Sequence, residues 1–241
     1  MPIRRFADPP ALFQAAARRV AEQLQAAIDA RGQASLALAG GSTPRGLYQQ
    51  LAQLPAAQAP DWHRVAFYFG DERAVPPDHP DANYRMAHEN LLGPLKISPT
   101  QIHRIEAERP QHEVEAHYRQ RLAQLPQQDG WPCLDLILLG MGDDGHTASL
   151  FPGSALLAEQ QVSFIGAEVP GRGLRYSLTL PVLNHARQLM LLVSGKEKAA
   201  AVAQALQEPA AQLPVQQLAG QVTEWYLDHA AAAHLKPEAS P

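Results

Sequence analysis

The sequence predicts an α/β fold built on a mostly parallel sheet that helices cover on both faces. Two observations carry that expectation. Short apolar runs alternate with segments of helical period, and four of the runs end in a loop rich in glycine or charge. At 241 residues, 46% hydrophobic and 18% charged, the chain can bury a sizeable core. No internal repeat of fixed period occurs, and proline-rich spots such as "LPAAQAP" read as loops rather than linkers, so one domain over residues 1–241 is expected.

In chain order, "DPPALFQAAARRVAEQLQAAIDARG" predicts a helix capped by Asp8, opened by prolines and closed at Gly32. Leu12, Ala16, Val20, Leu24 and Ile28 give it one apolar face. "SLALA" is a short buried strand, followed by "GGSTP" and a helix carrying Leu47, Leu51 and Leu54. "RVAFYFG" is a second strand. The loop "DERAVPPDHPDANY" then leads to a helix through "RMAHENLL". "QIHRI" reads as a weaker strand, "EVEAHYRQRLAQL" as a helix, and "LDLILLG" as the most apolar strand of the chain. Strand-like segments "VSFIGAEV", "RYSLTL" and "QLMLLVSG" precede the Ala-rich helix "KEKAAAVAQAL", and "VTEWYLDHAAAAHL" reads as strand then helix.

Composition narrows the class. A single cysteine, Cys133, excludes an internal disulfide framework and suits a reducing compartment. No run approaches the roughly 18 apolar residues of a membrane span, and "MPIRRFADPP" has no apolar stretch of a secretory signal. The net charge of −4 argues against general binding to nucleic acid or acidic membranes. A cytoplasmic enzyme or small-molecule binder is expected, as a monomer or weak homodimer.

The unusual residues follow the strands. "GGSTPR" comes after "SLALA", "GDER" after "VAFYF", "GMGDDGH" after "LDLILL" and "SGKEK" after "QLMLLV". Ligands of open α/β sheets bind beyond the carboxyl ends of the strands, so these four loops should converge. In the first, Gly40 and Gly41 let backbone approach a ligand, and Ser42 or Thr43 can cap the helix begun by Pro44. Free N–H groups at such a helix start hold anions. No Gly-Lys-Ser/Thr follows, so a small phosphate fits the loop better than a nucleoside triphosphate.

"GMGDDG" matches G-x-G-x-x-G, but Asp143 and Asp144 would lie where a pyrophosphate must sit, and Pro152 cuts short any helix behind it. A dinucleotide is therefore not expected. "HEVEAH" spaces His112 and His117 five apart, off the common face that H-E-x-x-H requires, and no metal is expected. There is no G-x-S-x-G elbow, and Cys133 precedes its strand, at the end away from the crevice. His146 is then either a passive turn residue or a base. Asp144, two residues earlier, can fix one imidazole nitrogen and leave the other to take a proton from water.

The blocks "LALAGGSTPRGLY", "FYFGDERAVPPDHPDANYRM", "LILLGMGDDGHTASLFPG", "RYSLTLPVLN", "VSGKEKAAA" and "VTEWYLDHAAA" resemble those of 6-phosphogluconolactonases across essentially the whole chain. The resemblance implies a Rossmann-like fold shared with glucosamine-6-phosphate deaminases and ribose-5-phosphate isomerases. It also implies cofactor-free hydrolysis of 6-phospho-D-glucono-1,5-lactone in the oxidative pentose phosphate pathway, with a sugar phosphate lactone as the partner molecule. Catalysis would fall to His146 with Asp144. The phosphate would be held by the Gly40–Thr43 turn with Arg73, Arg175 and Lys196, and Arg172 of "PGRG" is a further candidate. Asp71 and Glu72 would position sugar hydroxyls or orient Arg73. The oxyanion partner would be a backbone N–H of a glycine loop. The deaminase branch shares G-x-D-G-H but needs a glutamate seven residues after the aspartate, where this chain has Phe151. A catalytically silent sugar-phosphate binder is the remaining alternative.

Overall fold

The computed structural model describes residues 2–218 and 223–236. The elements run β1 (Ile3–Phe6), α1 (Pro9–Arg31), β2 (Ala34–Leu38), α2 (Ser42–Ala52), β3 (Val65–Phe69), β4 (Asp71–Arg73) and α3 (Asn83–Ala87). Next come α4 (Gln111–Leu122), the two-residue strands β5 (Gln127–Gln128) and β6 (Trp131–Pro132), β7 (Leu136–Leu139), α5 (Ala155–Ala158), β8 (Phe164–Val169) and β9 (Gly173–Leu178). The last are α6 (Leu180–Asn184), β10 (Leu189–Val193), α7 (Ala199–Gln207) and β11 (Thr223–Asp228).

Six strands form one parallel sheet in the order β1-β11-β10-β7-β2-β3. Every residue of β2, β7 and β10 is buried, as continuous apolar runs in a covered parallel sheet require. From β2 the chain moves one way to β3, and from β7 it moves the other way to β10. The gap between the ends of β2 and β7 is therefore the switch point, where a crevice opens. Helix α1 packs on this sheet with Leu12, Ala16, Val20, Leu24 and Ile28 buried. Asp8 accepts from the Ala11 N–H at 2.9 Å to start it, and left-handed Gly32 ends it.

A smaller antiparallel sheet, in the order β4-β9-β8, was not expected as a separate unit. Its first strand follows β3 after one residue, Gly70. That residue donates to the Leu38 carbonyl in the parallel sheet and accepts from Leu178 in the antiparallel one, both at 2.9 Å. The chain changes sheets there.

Other elements depart from the expectations. Strand β1 was not foreseen: its two arginines face out at a sheet edge, which masks the apolar pattern. "QIHRI" makes one bridge, Ile102 with Phe67, because the 3-10 turn Pro99–Gln101 occupies its start and His103 and Arg104 supply no apolar run. "RMAHENLL" is a short helix, α3, continued by a wider turn over His88–Leu92. The end "HAAAAHL" makes turns rather than a helix. Asp228 closes the first turn by accepting from Ala231 at 2.7 Å, and the segment is too short to propagate a helix on propensity alone. Val222, the first residue of the expected closing strand, lies outside the described residues. Among the described residues, no helix is long and apolar enough to cross a membrane.

Candidate active site

The carboxyl ends of β2, β3, β7 and β10 open into one cleft of about 220 Å³. The four loops do meet there. Gly40 to Thr43 come from the first, Asp71 and Arg73 from the second, His146 from the third, and Ser194 from the fourth. The second sheet adds Arg175 from β9. Of the residues expected at the site, Asp144 sits behind His146 rather than on the cleft wall, and Lys196 is exposed outside it.

The loop after β7 folds around a histidine–carboxylate pair. Asp144 Oδ1 lies 2.5 Å from His146 Nδ1 and also accepts from the His146 backbone N–H at 3.0 Å. With Nδ1 engaged, Nε2 is the nitrogen left for proton transfer. Gly142 is required by close approach: a Cβ there would stand 2.0 Å from His146 Nδ1 and 2.6 Å from Asp144 Oδ1. The Gly142 N–H donates to the His146 carbonyl at 2.9 Å, so this glycine amide is already committed within the turn. Phe151 packs against the imidazole, with ring centroids 4.2 Å apart and ring planes tilted by 35°. Partial burial opposes ionisation of Asp144. The amide and ring of His146, with Arg172 nearby, outweigh it and hold the carboxyl below its usual range.

Opposite this pair, β4 alternates its side chains. Asp71 and Arg73 line the cleft and Glu72 faces away. That alternation gives the two carboxylates different surroundings. Glu72, 2% exposed, accepts from the backbone N–H groups of Arg73, Asn83 and Tyr84 at 2.7–2.9 Å, and so ties the two ends of the loop between β4 and α3. Burial pushes its carboxyl up to about 7 against those three donors. Asp71 is held by Ser149 Oγ at 2.7 Å and Asn83 Nδ2 at 3.1 Å. Arg73 donates to the Asp81 carbonyl at 2.9 Å and to Asn83 Oδ1. Burial, and then the charge of Arg73, lower the Arg175 guanidinium from its usual value, although an arginine stays protonated.

At the start of α2 the expected cap is corrected. The N-cap is Gly41, at φ 102°, and Ser42 and Thr43 occupy the first turn. An L side chain would be strained at that φ, and the first turn presents N–H groups that the helix itself cannot satisfy. Three cleft residues escaped the sequence reading. Asn83 and Ser149 lie inside the quoted blocks, yet only the fold shows that both serve Asp71. Lys198 lines the cleft where Lys196 was expected, because Gly195 at φ 105° and the 3-10 turn Lys196–Lys198 rotate the first lysine outward. Among the described residues, no three His, Cys, Asp or Glu side chains are grouped to hold a metal ion.

His146, backed by Asp144, shares one cleft with Arg73, Arg175 and Lys198 at the switch point of a parallel sheet, the arrangement of an α/β enzyme rather than of a structural domain. Comparison with known proteins makes this specific. Residues 7–226 match the family described as glucosamine-6-phosphate isomerases/6-phosphogluconolactonase, and the chain belongs to that family. It is 38% identical over 238 residues to the 6-phosphogluconolactonase of Rattus norvegicus, covering 94% of this chain and 91% of that protein. A solved 6-phosphogluconolactonase from Trypanosoma brucei is 30% identical, covers 98% of each chain and superposes with a TM-score of 0.87. A monomeric glucosamine-6-phosphate deaminase, at 20% identity, 97% and 100% coverage and a TM-score of 0.83, shares the fold.

Proposed function

We propose that this protein hydrolyses 6-phospho-D-glucono-1,5-lactone to 6-phospho-D-gluconate in the cytoplasm, with water as nucleophile and no cofactor. The observation that carries this reading is His146, backed by Asp144, in one cleft with Arg73 and Arg175. The phosphate is held by Arg73, Arg175, Lys198 and the first-turn N–H groups of α2, which combine bidentate and point charges with helix-end donors. Asp71, fixed by Ser149 and Asn83, still has lone pairs to accept a sugar hydroxyl.

Neutral His146 takes a proton from water at Nε2 as the water oxygen bonds to the lactone carbonyl carbon. Asp144 stabilises the imidazolium that results. The tetrahedral intermediate collapses by breaking the ring C–O bond, and the leaving oxygen takes the proton back from His146. The free acid then ionises. Each step is redox-neutral and returns the side chains to their starting state.

A deaminase chemistry, which needs a carboxylate to relay a proton for ring opening, is disfavoured. Phe151 occupies that position and packs against the imidazole. The test is the hydrolysis rate of lactone generated in situ from glucose 6-phosphate, with spontaneous hydrolysis subtracted. A large rise that His146→Asn lowers by roughly 10²–10⁴ in kcat supports the reading. A rate equal to the blank, with 6-phosphogluconate still raising Tm, identifies a binder instead.

A further inference from the structure

We propose that Arg172 is a positioning residue for this reaction: from the hairpin between β8 and β9 it engages both groups that orient His146. The inference rests on the hydrolase reading above and adds a residue to it. Asp144 touches the imidazole at its Nδ1 edge through Oδ1, and its other oxygen, Oδ2, lies 3.5 Å from Arg172 Nη2. Phe151 covers the face of the imidazole, and the Arg172 guanidinium carbon lies 4.5 Å from the centre of the Phe151 ring. One side chain therefore restrains the carboxylate against rotation about its Cβ–Cγ bond and the phenyl ring against tilting away. The edge and the face of the imidazole are fixed together.

The placement separates Arg172 from the other cations of the cleft. Among the described residues, Arg73, Arg175 and Lys198 form no ion pair with a carboxylate, which suits groups kept for an incoming anion. Arg172 is already committed to Asp144. Its side chain is 45% exposed and that of Asp144 34%, so the pair contributes little to folding. An arrangement that adds little stability yet meets both supports of one imidazole is explained by the geometry it imposes. The guanidinium suits the task because its plane stacks on an aromatic face while its N–H groups reach a carboxylate.

The test compares Arg172→Ala, Arg172→Lys, Phe151→Leu and the double variant R172A/F151L with Arg175→Ala, each checked by Tm and by blank-subtracted kinetics. Misplacing a base costs rate rather than binding, so R172A should lower kcat about 10- to 100-fold with KM nearly unchanged. R172K should recover only part of the loss, because lysine restores the charge beside Asp144 without the planar cover on Phe151. The double variant should lose less than the product of the two single losses, since both act through one ring. A raised KM with unchanged kcat in R172A, matching Arg175→Ala, would make Arg172 a phosphate ligand and overturn the proposal. Unchanged kinetics, or strictly multiplicative losses in the double variant, would also overturn it. Wild-type turnover no faster than the blank would overturn the hydrolase reading itself, so the two failures are distinguishable.

Discussion

Arg73 and Arg175 stand directly opposite one another in the β4–β9 ladder, two like charges in register on one wall of the cleft. Like charges directly across a strand pair destabilise a sheet unless something negative lies between them. The fold therefore holds an unfavourable contact where a dianion would make it favourable.

Removing one partner should show this. Arg175→Ala is the cleaner choice, because Arg73 also anchors Asp81 and Asn83 and its loss would loosen the loop. We expect Arg175→Ala to raise KM about 10- to 100-fold, the loss of one charge-assisted contact, with Tm unchanged or higher. Inorganic phosphate should raise the Tm of the wild type more than that of the variant. A lowered Tm with an unchanged KM would assign Arg175 to the sheet rather than the ligand.

The two lysines of "SGKEK" should behave differently. Lys198 lines the cleft and Lys196 faces solvent. Lys198→Ala should raise KM about 10- to 100-fold, as the roughly 1.5–3 kcal/mol of a hydrogen bond to a charged group implies, while Lys196→Ala leaves it unchanged. Steady-state kinetics of the pair, with Tm as a control, decides; the reverse pattern would return the contact to Lys196.

Glu72 predicts a pH effect on stability. Burial raises its carboxyl to about 7 in the fold, against 4.5 for the unperturbed group, so between those values the folded state binds more protons than the unfolded one. Stability then falls as pH rises through that window. The wild type should lose a few degrees of Tm from pH 5 to 8 relative to Glu72→Gln, which has no proton to release, at roughly 2–4 °C per kcal/mol for a chain of this size. Parallel melting curves across that range would show that the three backbone donors offset burial completely.

Much of this architecture is legible because it depends on local pattern. The buried runs "SLALA" and "LDLILL" announce parallel strands, and Asp8 and Gly32 bound their helix by side-chain and backbone chemistry within a few residues. The loops after four strands could be placed together because strand polarity alone puts them on one edge. What stayed hidden depends on distant pairing or on a backbone angle. No pattern in "DER" or "RYSLTL" shows that Arg73 will face Arg175, since that register is set by a hairpin and a change of sheet. Asn83 and Ser149 look like ordinary polar residues until Asp71 is found between them. Lys196 was the natural choice over Lys198 because the rotation set by Gly195 cannot be counted along the chain.

The passage from one sheet to the other at Gly70 has a mechanical consequence. His146 follows the carboxyl end of β7 in the parallel sheet and Arg175 lies on β9 of the antiparallel one. The gap between them is therefore set across two sheets, which meet at Gly70 and through the Ser149–Asp71 hydrogen bond. Their separation is governed by the angle at which two stiff plates meet. Packing changes along that seam, well away from the cleft, would thus alter the reach between base and cation as surely as changing either residue.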